Sequence, residues 1–355
     1  MRAVVYPAVG VAPELCEVEE PVCPADGVVV SVAATGICRS DWHAWRGHDP
    51  VPLPHIPGHE LAGRVVEVGA AVRRSRVGDR VTVPFVNGCG VCETCRAGDA
   101  QVCPDQTQPG FTGPGSFAER VALHAADANL VHLPDSVDLL TAASLGCRFA
   151  TAFRALTAHG RLQPEQWLAV YGCGGVGLSA VMIGVALGAR VVAVDVSPAA
   201  LDRASELGAE VTVAAAPTAP TVPVAAIDPV EAVRTATGGG AHVAMDALGS
   251  AATAVASVRS LRRRGRHLQV GLLLGEASRP PLPMDLVLSH ELELYGSHGM
   301  AAHEYPAMLA LVQSGALAPE RLIGAVIGLA EAPAALMAMD RPATTPGLTV
   351  VDLSR

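Results

Sequence analysis

Apolar positions are distributed along the chain in two different ways. Over the first 150 residues they fall in short runs, Val28–Val32, Gly63–Val68, Arg80–Val83 and Phe117–Leu123, set between turn signals such as "VGDR" and "GPGS". Short β-rich runs bounded by Gly and Pro read as strands, and no long helical period begins before about Leu139. From about Gln166 the pattern changes. "WLAVYG" and "RVVAVDV" are continuous apolar runs of strand length, whereas "VGLSAVMIGVAL" has the length and content of a helix. In "SPAALDRASELG", Ser197 supplies an N-cap, Pro198 the first helical position and Gly208 the stop. "HVAMDAL", "RHLQVGLL" and "ELELYG" continue the series of strands. Strands that alternate with helices form a parallel sheet covered on both faces. The Ala/Pro/Thr-rich "AAAPTAPTVPVAA" interrupts them as a surface connector. Beyond about Ser297 a helix, "YPAMLALVQSG", and a strand, "LTVVDL", remain. These cannot bury a core by themselves and are expected to return to the first domain. The expected class is α/β: a β-rich domain from residues 1–148 and 297–355, and a doubly wound parallel-sheet domain from residues 149–296.

Composition supports two soluble domains. The chain has 355 residues, more than one hydrophobic core spans, with half of them apolar and 17% charged. Aromatics are only 3%, so the cores must be built from Val, Leu and Ala. The net charge of −9 argues against nucleic acid or an anionic membrane as partner. No apolar run has the length of a bilayer span, and the opening "MRAVVYPAVG" lacks the apolar core of a signal peptide, so a cytoplasmic location is expected. In that compartment nine cysteines read as metal-binding or catalytic rather than as disulfides.

Two motifs carry chemistry by spacing. In "VYGCGGVGLSA", Gly172, Gly174 and Gly177 form G-x-G-x-x-G between an expected strand and an expected helix. Gly172 serves the tight turn, Gly174 close approach to a pyrophosphate, and Gly177 helix–strand packing. The phosphates would sit at the helix N-terminus, against the loop of Gly175 and Val176, where free N–H groups favour anions. Asp195 closes the next strand, 18 positions after Gly177. Its carboxylate can bond the ribose hydroxyls and would repel a 2′-phosphate, which selects NAD over NADP. In "GCGVCETCRAGDAQVC", residues 88–103, Cys89, Cys92, Cys95 and Cys103 are separated by two, two and seven residues. Four thiolates suit tetrahedral zinc and fill all its positions, so such a site is structural. Three further residues, Cys38, His59 and Cys147 in "TGICRSDWH", "PHIPGHELAG" and "ASLGCRF", are too far apart for spacing to connect them.

These segments resemble the zinc-dependent alcohol dehydrogenases of the medium-chain dehydrogenase/reductase family. "GHELAGRVVEVG", "GDRV", the C-x2-C-x2-C-x7-C lobe, "GCGGVG" and "DALGS" occur in the family's order across essentially the whole chain. The resemblance implies a GroES-like catalytic domain from both chain ends and a Rossmann cofactor domain between. It implies two Zn2+ per chain, one structural in the lobe and one catalytic on Cys38, His59 and Cys147, together with NAD. Three protein ligands leave one position for substrate. By the same resemblance Glu60 lies close to that zinc, Asp41 orients His59, and Ser40 and His43 pass on the alcohol proton. Arg39 corresponds to a cofactor-phosphate contact, and the backbone at Gly271–Leu272 to a carboxamide contact. Trp42, Trp45 and Phe85 are pocket candidates. One departure is Leu348, where the family often places a basic residue near the pyrophosphate; Cys16, Cys23 and Cys173 belong to neither metal set. The implied function is reversible oxidation of an alcohol to an aldehyde or ketone by hydride transfer, in a homotetramer or homodimer. A polyol, sugar or specialised-metabolite dehydrogenase of the same family is the alternative, and a zinc- and NAD-binding protein without turnover is the rival of another class.

Overall fold

The computed structural model describes residues 1–215, 228–341 and 346–355. The Ala/Pro/Thr-rich connector lies outside the described residues from position 216 onward. The chain divides into two compact units, Met1–Ala150 with Gly299–Arg355, and Thr151–His298.

In the first unit β1 (Arg2–Val5) pairs antiparallel with β2 (Glu14–Glu17). The ten-residue β3 (Val28–Ile37) pairs antiparallel with β4 (Glu60–Val68), which on its other side pairs antiparallel with β5 (Arg80–Thr82). β6 (Arg120–Leu123) lies on β3, and β7 (Val131–His132) on β5. Between β3 and β4 the chain makes the short helix α1 (Arg39–Trp45); the loop after β5 carries α2 (Glu93–Arg96), and α3 (Ala126–Asn129) precedes β7. α4 (Leu139–Ala143) starts at Asp138, whose carboxylate accepts from Thr141 N, and is followed by a wide π-type turn, Leu145–Phe149. The sheet core is aliphatic, as the scarcity of aromatics demands: Val28, Val30, Val32, Leu61, Val65, Val81, Val83, Val121 and Leu123 are buried together.

The second unit is reached at α5 (Ala150–Arg154). Its strands and helices alternate: β8 (Trp167–Tyr171), α6 (Gly175–Ala186), β9 (Arg190–Asp195), α7 (Pro198–Glu206), β10 (Val211–Ala214), α8 (Pro229–Ala236), β11 (Ala241–Asp246), α9 (Ala251–Arg259), β12 (Leu261–Gln269), α10 (Met284–Ser289) and β13 (Glu293–Gly296). The six strands lie in the order β10-β9-β8-β11-β12-β13, and every pair is parallel. All five residues of β8 are buried, as a strand covered by helices on both faces requires. Ser197 caps α7 by accepting from Ala200 N, with Pro198 next to it. The strand order reverses between β8 and β11, and in such sheets ligands bind at that point, outside the carboxyl ends of the strands.

The chain then returns to the first unit with α11 (Tyr305–Gln313), β14 (Ile323–Ile327), α12 (Ala332–Ala338) and β15 (Leu348–Asp352). β15 pairs antiparallel with β3 and parallel with β14. Its Val351 joins Leu329 and Leu336 against Ile37, Trp45 and Phe117. Among the described residues no helix is long and apolar enough to cross a membrane.

Candidate active site

Three side chains from separate parts of the first unit meet in its interior. Cys38 immediately precedes α1, His59 immediately precedes β4, and Cys147 lies in the π-type turn after α4. All three are buried, and their ligand atoms lie within 4.8 Å of one another. His59 Nδ1 is 2.9 Å from Asp41 Oδ1, which fixes the ring proton on that side. His59 Nε2 is buried without a hydrogen-bond partner. An orphaned ring nitrogen beside two thiol sulfurs is a set of donors that could hold a zinc ion. Burial opposes a charge on His59, but the Asp41 carboxylate and the Cys38 sulfur together outweigh it and hold the imidazole well above its ordinary range.

Asp41 is itself fully buried and holds the local chain together. Its Oδ2 accepts from Cys38 N at 2.9 Å, and its Oδ1 accepts from Gly58 N at 3.1 Å as well as from His59. One carboxylate thus holds the backbone of Cys38, the backbone just before His59 and the His59 ring itself. Glu60 is buried beside them and takes Arg148 as partner: Arg148 donates from its backbone N and from Nε, both at 3.0 Å, and through a second guanidinium nitrogen. Burial raises the Glu60 carboxyl, and Arg148 opposes that rise. Arg148 was not a candidate from the sequence; its signal was a lone charge beside a cysteine in the apolar run "ASLGCRFATAF".

Ser40 Oγ lies 3.8 Å from Cys38 Sγ. His43, half-buried on α1, has its Nδ1 3.0 Å from Nδ1 of His48. Arg39 donates to Met339 O at 2.6 Å and lies over the Trp42 ring. Of the pocket candidates, Phe85 meets His59 edge-on at 6.1 Å, Trp45 is packed into the core, and Trp42 donates from its indole to Asp340. Phe111, which the sequence did not single out, has its ring 5.1 Å from that of His59.

The four clustered cysteines form a second group of donors. Cys92 Sγ is 3.7 Å from Cys103 Sγ, and Cys89 Sγ is 4.0 Å from Cys95 Sγ. A tetrahedral zinc with bonds of about 2.3 Å holds its sulfurs about 3.8 Å apart, so the spacing fits. Backbone N–H groups of Cys89, Cys92 and Cys95 each donate to a cysteine sulfur of the group at 3.4 Å, which favours the thiolates. Cys16, Cys23 and Cys173 lie outside both groups.

In the second unit the glycine loop joins β8 to α6. Gly172 takes φ +94°, and a Cβ on Gly177 would lie 1.8 Å from Gly172 O, so the helix sits against the turn as only glycine allows. A Cβ on Gly174 would meet nothing within 4 Å, which leaves that side of the loop open. Gly174 is the N-cap of α6, and the first intrahelical bond runs from Leu178 N, so the amides of Gly175, Val176 and Gly177 have no acceptor within the helix, as in any first helical turn. Asp195 ends β9 beside the loop; its carboxylate accepts from Cys173 N at 2.6 Å and Ser197 N at 2.8 Å. Gly271 and Leu272 follow β12, where Gly271 N donates to Asp246 O. Three large apolar side chains just beyond the strand ends are exposed, Val196, Leu248 and Leu272. The sequence does not single out Val196 and Leu248; each lies within two residues of a strand-end acid, Asp195 and Asp246.

Comparison with known proteins agrees with both halves. Residues 24–135 match the alcohol dehydrogenase GroES-like domain, and residues 175–314 the zinc-binding dehydrogenase domain. An alcohol dehydrogenase of Geobacillus stearothermophilus is 35% identical over 284 residues, 79% of this chain and 80% of that protein. Another from the same organism is 39% identical over 217 residues, 60% of this chain and 63% of its own length. The solved structure of alcohol dehydrogenase TADH from Thermus sp. ATN1 superposes with a TM-score of 0.88 at 32% identity, over 99% of both chains. With its sheet order, its two groups of metal donors and these matches, the chain belongs to the zinc-dependent alcohol dehydrogenases of the medium-chain dehydrogenase/reductase family.

Proposed function

We propose that this protein oxidises an alcohol to an aldehyde or ketone, reversibly, with NAD as hydride acceptor, and that Cys38, His59 and Cys147 hold its catalytic zinc. The observation that carries the reading is the convergence of those three buried donors, with His59 Nε2 lacking any partner. Bound there, zinc supplies a Lewis acid with one open position, which makes an alcohol proton acidic near neutral pH. Asp41 keeps the His59 proton on Nδ1 and so keeps Nε2 available as a donor. Arg148 neutralises Glu60, so the acid beside the thiolates adds no net charge to the site. Ser40 and His43 take the proton from the alcohol oxygen and carry it outward. Cys89, Cys92, Cys95 and Cys103 hold the structural zinc.

The first unit is the catalytic domain and the second the NAD-binding domain. There the open side of Gly174 admits the pyrophosphate to the amides of Gly175, Val176 and Gly177, and Asp195 receives the ribose hydroxyls. Val196, Leu248 and Leu272 give the planar rings of the dinucleotide apolar surfaces. Gly271 lies beside them just past the β12 end, and Arg39, which bonds Met339 O, corresponds to a cofactor-phosphate contact by family resemblance. The substrate is a small molecule; the protein works in the cytoplasm as a homotetramer or homodimer. The test is NAD reduction by zinc-loaded protein against primary, secondary and polyol alcohols. Turnover with simple alcohols is expected; no turnover on any of them with two zinc ions per chain would overturn the reading in favour of a binding protein.

A further inference from the structure

The end of α1 brings a second histidine against His43. Gly47 N–H donates to Ala44 O at 3.0 Å and His48 N–H to His43 O at 2.9 Å, the bond pair of a Schellman turn. Gly47 takes φ +74°, and a Cβ there would lie 2.7 Å from Val9 Cγ1, so both backbone and space demand glycine. Such a turn folds the residue after the glycine back onto the last helical turn. Here the two that meet are His48 and His43, with ring centroids 5.3 Å apart and their Nδ1 atoms at 3.0 Å. Trp42 backs both, edge-on at 5.0 Å to His43 and 5.3 Å to His48. Two Nδ1 atoms at that distance share one proton, one ring donating and the other accepting, which leaves each Nε2 for another partner. His43 is half-buried and His48 exposed. Burial lowers the His43 pKa, His48 and Arg39 lower it further, and Cys38 opposes them.

We propose that His48 is the outer member of a two-imidazole path that carries the proton of alcohol oxidation from His43 to solvent. His43 gains the proton at Nε2 and gives its Nδ1 proton to Nδ1 of His48, and His48 loses its Nε2 proton to water. One N–H bond forms and one breaks on each ring, no electrons are transferred, and tautomer exchange with water resets the pair. The inference rests on the dehydrogenase reading and on the role given there to His43; it adds a positioning and proton-accepting partner that acts through that residue.

Two variants test it. His48→Gln keeps a flat polar side chain on Trp42 but cannot pass a proton, and His48→Ala leaves room for added imidazole. Proton release to a pH indicator and NADH formation are followed through the first turnover of the zinc-loaded enzyme. Both variants are expected to lose about tenfold in first-turnover rate with NAD affinity unchanged, and imidazole buffer should restore the alanine variant in proportion to its concentration. Independently of turnover, the 15N signals of His43 should report a changed tautomer in His48→Ala. Wild-type proton release in both variants, or no restoration by imidazole, would overturn the path while leaving the dehydrogenase reading intact. Absence of alcohol turnover in the wild-type protein would instead remove that reading, and the path with it.

Discussion

Arg148 shows what a single residue can hide. Its partner Glu60 is fully buried, and the arginine side chain is only 9% exposed. Truncating one member of such a pair leaves an uncompensated charge in the interior, which costs about 3–5 kcal/mol. Arg148→Met should therefore lower the thermal midpoint by many degrees, and Glu60→Gln in the same chain should recover much of it, because the orphaned charge is gone. A single variant as stable as the wild type would show that the pair is not a structural unit. None of this pairing was legible in sequence. "GCRF" places an arginine beside a cysteine, but its acid lies 88 positions away at the start of β4. The same limit applies to Cys38, His59 and Cys147: each comes from a different loop or turn, and only the fold brings them within 4.8 Å. The resemblance to the family connected them before any geometry did. Residues whose partners are local were readable directly, the four-cysteine lobe above all.

At the scale of elements, legibility followed the local signals. β8, α6, β9 and α7 read correctly because their apolar runs, capping serine, proline and glycines all agree. β12 was read from Arg266 onward, yet the strand begins at Leu261 and runs through Arg262–Arg264. Those arginines are exposed and fall within a register shift of the ladder with β11, between Leu261 and Arg266, so the charged run that looks like a loop is an irregular part of the strand. α1 was not read as a helix, since seven residues between a strand and a glycine hold too little periodicity to register. The glycine loop is the element whose sequence signature has a direct steric cause. Gly177→Ala would set a methyl group 1.8 Å from Gly172 O, and α6 must move away from the turn to admit it. NAD binding, measured by titration of protein fluorescence, should weaken by more than about tenfold, equivalent to about 1.4 kcal/mol. Unchanged affinity would mean that the loop relaxes at no cost and that its packing does not set the phosphate site.

On the proposed reading, metal chemistry and dinucleotide binding fall to different stretches of the chain. The two groups of cysteine and histidine donors belong to the unit built from both chain ends, and the glycine loop with Asp195 belongs to the other. Within the first unit the two metal groups are also independent, since no residue is shared between them. These facts yield a prediction with three separate readouts. In Cys147→Ser the hydroxyl is a poor zinc ligand beside a thiolate and an imidazole. The isolated protein should carry one zinc per chain in place of two, because the lobe of Cys89, Cys92, Cys95 and Cys103 keeps its own ion. Alcohol turnover should fall to background, because the Lewis acid is lost. NAD affinity should stay close to wild type, because every residue assigned to the glycine loop and its strand ends is untouched. Metal analysis, an alcohol assay and the fluorescence titration give these three values on one preparation. Two zinc ions per chain in the variant would remove Cys147 from the donor set. One zinc with turnover retained would place the chemistry elsewhere, and loss of NAD binding together with the metal would show that the two units do not keep their functions apart.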